Sequence, residues 1–195
     1  MDKFLTRKEK TLTKYLQKIT RGISESNTDS LVDYILRKVE LDEEPLLMRI
    51  HPNYKFYVYN KEIFSNPEFS IEKDDIIIFI NSSKNWDENQ IAGEILAVVS
   101  TNYNNSFINR KTKITSQQVV YSMRVIGTRF TFYKAIVPVT YLESLGDGFP
   151  DEEFTIYRFP DNELDKSLSR YDYMVPSERR IIVDMLFRLH TELKK

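Results

Sequence analysis

The side chains of this sequence that could do chemistry are carboxylates and amides, because thiols and the common catalytic motifs are missing. There is no cysteine, which removes disulfides, cysteine-based zinc sites and thiol nucleophiles together. No G-x-x-x-x-G-K-[ST] phosphate loop, G-x-G-x-x-G, G-x-S-x-G or H-E-x-x-H occurs. The two histidines, His51 and His190, fall in a turn-prone segment and near the end of a helical pattern, where solvent or the helix C-terminus accounts for them. What remains is ordered along the chain. Asp74 and Asp75 open one apolar run, Glu94 lies inside the next, and Gln117 and Tyr121 follow at a spacing that is one turn of a helix.

The elements that must position these residues follow from hydrophobic periodicity. Leu12, Tyr15, Leu16 and Ile19, then Leu31, Tyr34, Ile35 and Val39, recur at helical spacing, with Asn27, Thr28 and Asp29 as caps for the second set. A helical N-terminal part is therefore expected over 1–42. After the acidic break ELDEEP, 46–50 and 55–59 read as an antiparallel hairpin turned at His51, Pro52 and Asn53. The β-branched runs 75–80 and 91–100 read as buried strands. Thr115 and Gln118 fit a capping box that opens a helix over 116–126, stopped by Gly127. Strands are expected at 129–137 and 154–159, and a last amphipathic helix at 177–193. The sheet core then spans 46–160, and 195 residues suit a single domain. The fold class is α/β, a mixed central sheet flanked by helices.

Net charge is −1, yet from Ile95 to Leu142 there is no Asp or Glu, while Arg110, Lys111, Lys113, Arg124, Arg129 and Lys134 are all present. That basic stretch is interleaved with Tyr103, Phe107, Tyr121, Phe130, Phe132 and Tyr133, the composition single-strand binders use for stacking, although alternating aromatics also serve sheet packing. Arg110, Lys111, Lys113, Arg124 and Arg129 are the residues expected to meet phosphates. No apolar run approaches the roughly 20 residues that span a bilayer, and the N-terminus lacks an apolar leader with a cleavage site. An intracellular setting, cytoplasmic or nuclear, is expected. Partner identity and oligomeric state are not legible.

A strand acid, a second strand acid and a helical Q-x-x-x-Y in that order resemble the restriction-endonuclease-like superfamily in its RecB-type branch, over about residues 74–138. The resemblance implies a strand–strand–helix–strand core with a restriction-endonuclease-like sheet. In it, Asp75 and Glu94 would hold Mg²⁺, a lysine two residues after the second acid would help activate water, and Gln117 and Tyr121 would flank the site. Two carboxylates suffice to seat so hard an ion, which keeps several waters. Here Leu96 stands where the lysine is expected, and Lys84 or Lys134 would have to bring the ammonium instead. Glu94 has a second reading, as a charge partner of Arg124 or Arg129. The run 117–150 with 156–160 is also similar in layout to degenerate nuclease-like modules of Crinkler-type and mobile-element-related proteins, and to expanded families of uncharacterised fungal proteins. The resemblance thus implies a catalytically degenerate nuclease-like domain that binds nucleic acid or a partner protein. Two other readings stay open: an active Mg²⁺-dependent nuclease with Lys134 in the catalytic set, and a protein-interaction scaffold with no nucleic-acid role.

Overall fold

The computed structural model describes residues 7–22, 24–82, 88–108, 114–161 and 170–195. The N-terminal pattern forms two helices, α1 (Arg7–Arg21) and α2 (Glu25–Lys38). The cap of α2 is Ser24 rather than Asn27, Thr28 or Asp29. Its hydroxyl accepts the Asn27 N–H at 3.3 Å and so satisfies one of the four donors a helix start leaves open. Leu31, Val32, Ile35 and Leu36 fall on one face of α2 and are buried.

The main sheet takes the spatial order β1 (Leu47–Ile50), β4 (Phe69–Lys73), β5 (Ile76–Ser82), β6 (Gln117–Ile126), β7 (Arg129–Pro138) and β8 (Thr155–Phe159). A two-residue strand, β9 (Tyr171–Asp172), joins β7 beyond the end of β8. Between β1 and β4 in the chain, β2 (Tyr54–Val58) and β3 (Lys61–Ser65) form a separate hairpin. In the main sheet β5 and β6 run parallel and the other pairings are antiparallel. Parallel neighbours need a crossover, and α3 (Glu88–Ile108) supplies it. The sheet is mixed and carries helices on both faces, as expected for an α/β protein. A short α4 (Val139–Ser144) follows β7, and α5 (Pro176–Leu193) ends the chain's regular structure.

Each face of the sheet has its own core. Phe69, Ile71, Phe79, Met123, Val125, Phe130 and Phe132 pack with α1, α2 and α5, whereas Ile77, Ile80, Val120, Ala135 and Val137 pack with α3 and β2. Strand alternation sorts them. At Ile71/Glu72 the β4–β5 register shifts, which is how Ile77 and Ile80 come to share a face across a three-residue step.

Three expected elements take a different form. The segment 91–100 is not a strand but the middle of α3. Ile91, Ile95, Leu96, Ala97, Val98 and Val99 are all buried, because the sheet lies on one side of the helix and the β2–β3 hairpin on the other. A helix covered all round shows no amphipathic period. The segment 116–126 is not a helix but β6, and Gly127, at φ 64°, opens a two-residue Gly-Thr hairpin turn rather than closing a helix. The hairpin expected between 46–50 and 55–59 does not form. His51, at φ 49°, donates its N–H to Glu68 O at 2.8 Å, so β1 pairs with β4 while β2 turns back on β3 through Tyr59 and Asn60, both at positive φ. Among the described residues no helix is long and apolar enough to cross a membrane.

Candidate functional site

The carboxyl ends of parallel strands, where a crossover helix begins, are where open α/β sheets place their ligands. Here that place is the end of β5 and β6 under the first turns of α3, and it holds buried polar groups. Ser82 and Arg124 are register partners on β5 and β6, and one row back Ile80, Ser122, Tyr133 and Arg158 line up across β5 to β8. Strand alternation points Ser82, Ser122, Arg124, Tyr133 and Arg158 toward α3. Asn81, on the opposite face, ties β5 to β6 by donating Nδ2–H to Met123 O at 3.1 Å.

From α3, Gln90 donates Nε2–H to Glu94 Oε1 at 2.8 Å and approaches Ser82 Oγ at 3.4 Å. Glu94 is thereby held one amide away from the end of β5. Glu68, wholly buried, donates its backbone N–H to Asn81 O at 3.0 Å, and alternation places its side chain on the face of Ser70, which hydrogen-bonds Tyr54 of the hairpin at 2.6 Å. Ser65 and Asn66, three and two residues before Glu68, share with Gln90, Gly93 and Glu94 a cleft of about 340 Å³. Because Phe69 pairs with Asn81 in register, Glu68 falls opposite Ser82, and Gln90 links Ser82 to Glu94; these form the acidic half of the site.

The basic half adjoins it. Arg124 is 3% exposed, and its guanidinium lies 5.8 Å from the Tyr133 ring centroid and 3.8 Å from Glu88 Oε1. Its Nη1 and the Ser122 hydroxyl are buried without hydrogen-bond partners among the described residues. Arg158 Nε stands 2.8 Å from the same Glu88 oxygen at an angle that makes an ion contact rather than a hydrogen bond, and Tyr133 donates its hydroxyl to that oxygen at 3.4 Å. Burial, with the positive charges of Arg124, Arg129 and Arg158, holds the Arg170 guanidinium below its ordinary pKa. Burial pushes the Tyr133 hydroxyl up, against the opposing pull of Arg124. One carboxylate therefore serves two buried guanidiniums, with a third cation nearby.

The residues singled out by spacing are dispersed. Asp75 is an exposed turn residue between β4 and β5, at φ 65°. Asn102 of α3 brackets Ile77, accepting its N–H at 2.9 Å and donating to its O at 2.8 Å, so α3 runs back along β5 and Asp75, just before the first residue of β5, lies at the end of the strand opposite Ser82. Glu94 is separated from Asn102 by roughly 12 Å of helix at 1.5 Å per residue, so Asp75 and Glu94 cannot share an ion. Gln117 is exposed at the start of β6, the end remote from Ser82. Tyr121 and Lys134 are register partners on the α5 face, Nζ 5.7 Å from the ring centroid, so the sheet separates them from Glu94. Leu96 is 5% exposed in the core, and with Glu94 on a helix the E-x-K spacing through Leu96 carries no meaning.

The expected phosphate-binding set divides as well. Arg124 is interior rather than superficial, and Arg129 is exposed and stands 3.9 Å from Asp172. Arg110, Lys111 and Lys113 lie outside the described residues, as does Lys84. Phe130 and Phe132 are core, and Tyr103 and Phe107 pair edge to face near the end of α3. Spacing missed Glu68, Ser82, Glu88, Gln90, Arg158 and Arg170. The one local signal was Pro67-Glu68 at the head of a strand, followed by Ser82 at the end of the next.

Among the described residues no group of three or more His, Cys, Asp or Glu could hold a metal. Glu68, Glu94 and the Ser82 hydroxyl offer oxygen donors alone, the chemistry that a hard ion keeping several waters takes. No protein-family model matches the chain, and no curated protein matches it in sequence.

Proposed function

We propose that this chain is a restriction-endonuclease-like domain that holds a nucleic-acid backbone at the carboxyl ends of β5 and β6. The observation that carries the reading is the burial at this end of the sheet of two carboxylates, Glu68 and Glu94, and of the Arg124 and Arg158 side chains, with Ser82 and Arg124 paired in register between them. A phosphodiester needs both halves: oxygens to seat a cation and fixed positive charge for the phosphate. The strand–strand–helix–strand order that the resemblance implies recurs as β4, β5, α3 and β6, one element earlier than the spacing suggested. On that alignment the E-x-K spacing falls on Ser82, Ser83 and Lys84, with serine in the acid's place and Glu94 bringing a carboxylate to it from α3 through Gln90.

Glu68 and Glu94 would hold Mg²⁺, which when bound lowers the pKa of water and neutralises phosphate charge. Gln90 orients Glu94, Arg124 and Arg158 receive the phosphate, and Glu88 holds the two guanidiniums in place until it arrives. Lys84 is the ammonium this reading assigns. The serine at position 82 favours a second reading, a domain that keeps the binding and has lost the cut. The test is cleavage of labelled single-stranded and duplex DNA and RNA in Mg²⁺ or Mn²⁺ by the natural protein, Glu94→Gln and Lys84→Ala. Cleavage abolished in both variants supports an active nuclease. Binding without cleavage, weakened by Arg158→Gln, supports the second reading, and absence of both activities refutes the proposal.

A further inference from the structure

The face of the sheet opposite Glu94 carries a groove that the acidic half does not reach and that Ser122, Tyr133 and Arg158 of the basic half also line. Helix α5 buries Ile182, Leu186, Leu189 and Leu193 against the sheet, but it leaves the outer face of β8 bare: Tyr157 is 56% and Phe159 38% exposed. Between them and α5 lies a groove of about 440 Å³, within the roughly 300–1,000 Å³ of ligand sites. Tyr121, Lys134 and Tyr157 form one row across β6, β7 and β8, and Phe132 and Phe159 form the next. The groove thus alternates aromatic, ammonium, aromatic at the strand spacing of about 4.8 Å, with Arg188 on its α5 rim. Its one carboxylate among the described residues, Glu192, is paired to Lys195 at 2.6 Å.

We infer that this groove takes a nucleotide unit, an unpaired base with its phosphate. The base stacks on Tyr157 and Phe159, and the phosphate is met by Lys134 and Arg188. Aromatic faces left open to water favour a flat π-surface, and the flanking cations favour an anion joined to it. A duplex keeps its base faces covered by stacking, so the unit comes from a single strand or is a free mononucleotide. The inference rests on the nucleic-acid reading above and narrows it to single strands.

The test uses the full chain. Affinity is measured for a labelled oligodeoxyadenylate, for a blunt duplex of equal length and for AMP, the last followed by tyrosine fluorescence. Tyr157→Ala is expected to weaken oligodeoxyadenylate binding about tenfold, with duplex affinity and melting temperature unchanged and binding restored in Tyr157→Phe. Lys134→Ala is expected to lower the salt slope for the single strand by about 1. Single-strand binding that survives both variants overturns the groove assignment and leaves the nucleic-acid reading standing. AMP binding lost in Tyr157→Ala, in a protein that binds no oligonucleotide, supports the groove and overturns the nucleic-acid reading. No binding of any probe overturns both.

Discussion

Replacing Glu88 with glutamine removes the carboxylate that both Arg124 and Arg158 contact, at 3.8 and 2.8 Å. The two guanidinium side chains are 4% and 8% exposed, while Glu88 is 44% exposed, so water compensates the anion far better than the cations. Removing one partner of a buried pair costs about 3–5 kcal/mol. Solvation of Glu88 and the carbonyl oxygen that glutamine keeps bring this to about 2–3 kcal/mol. For a chain of this size each kcal/mol shifts the melting midpoint by about 2–4 °C, so the midpoint should fall by about 4–12 °C in a thermal melt followed by circular dichroism. Phosphate binding should move the other way, because the carboxylate competes with phosphate for the same two guanidiniums. Oligonucleotide affinity at low salt should rise several-fold, and the salt slope should steepen by up to about 0.9. A melting point unchanged within about 1 °C would refute the claim that Glu88 compensates buried charge. Lost stability with unchanged or weaker oligonucleotide binding would refute the assignment of Arg124 and Arg158 to phosphate.

Asn102→Ala leaves the Ile77 N–H and C=O without their side-chain partners inside the protein, which should cost about 2–4 kcal/mol in urea unfolding. A loss under about 1 kcal/mol would mean that water replaces the amide. Leu96→Lys should create no nuclease activity. It should destabilise the fold by at least about 3 kcal/mol, since an ammonium would enter the α3 core, and a stable, newly active variant would show that Leu96 borders the site. Burial raises the hydroxyl pKa of Tyr54, Tyr133, Tyr141 and Tyr173 above the ordinary 10.0. The folded chain thus keeps protons that the unfolded chain releases; their contribution is complete below about pH 10 and is lost as pH climbs through the raised native values. Urea midpoints should therefore fall between about pH 9.5 and 11.5, less steeply in Tyr54→Phe, and a flat profile would contradict the burial of these hydroxyls.

Much of the architecture was legible in one dimension. The helices α1, α2 and α5 show a 3.6-residue apolar stripe because one face of each meets the core, and β5, β7 and β8 read as β-rich runs. From these the α/β class followed. The sequence alone also showed an acid-free basic stretch and the lack of any thiol or two-histidine chemistry. The exchange of helix and strand at α3 and β6 was not legible. Buried on every side, α3 has no polar face to mark its period, and its Val98 and Val99 argue locally for a strand. In β6, Gln117 and Tyr121 are four apart, a spacing that serves a helical turn and a strand face equally well.

The candidate site depended wholly on tertiary structure. Glu68, Ser82, Glu88, Gln90, Arg124 and Arg158 are spread over some ninety residues and come to one end of the sheet because a parallel pair with a crossover helix, flanked by antiparallel strands, gathers five elements there. Asp75 and Glu94, close in sequence, end far apart because α3 runs back along β5. Local spacing constrains neighbours on one element, whereas a site is a long-range contact whose partners are chosen by strand order and register. Only the sheet's pairing, driven by burial of its two apolar faces, decided which carboxylates would face the arginines and which would face water.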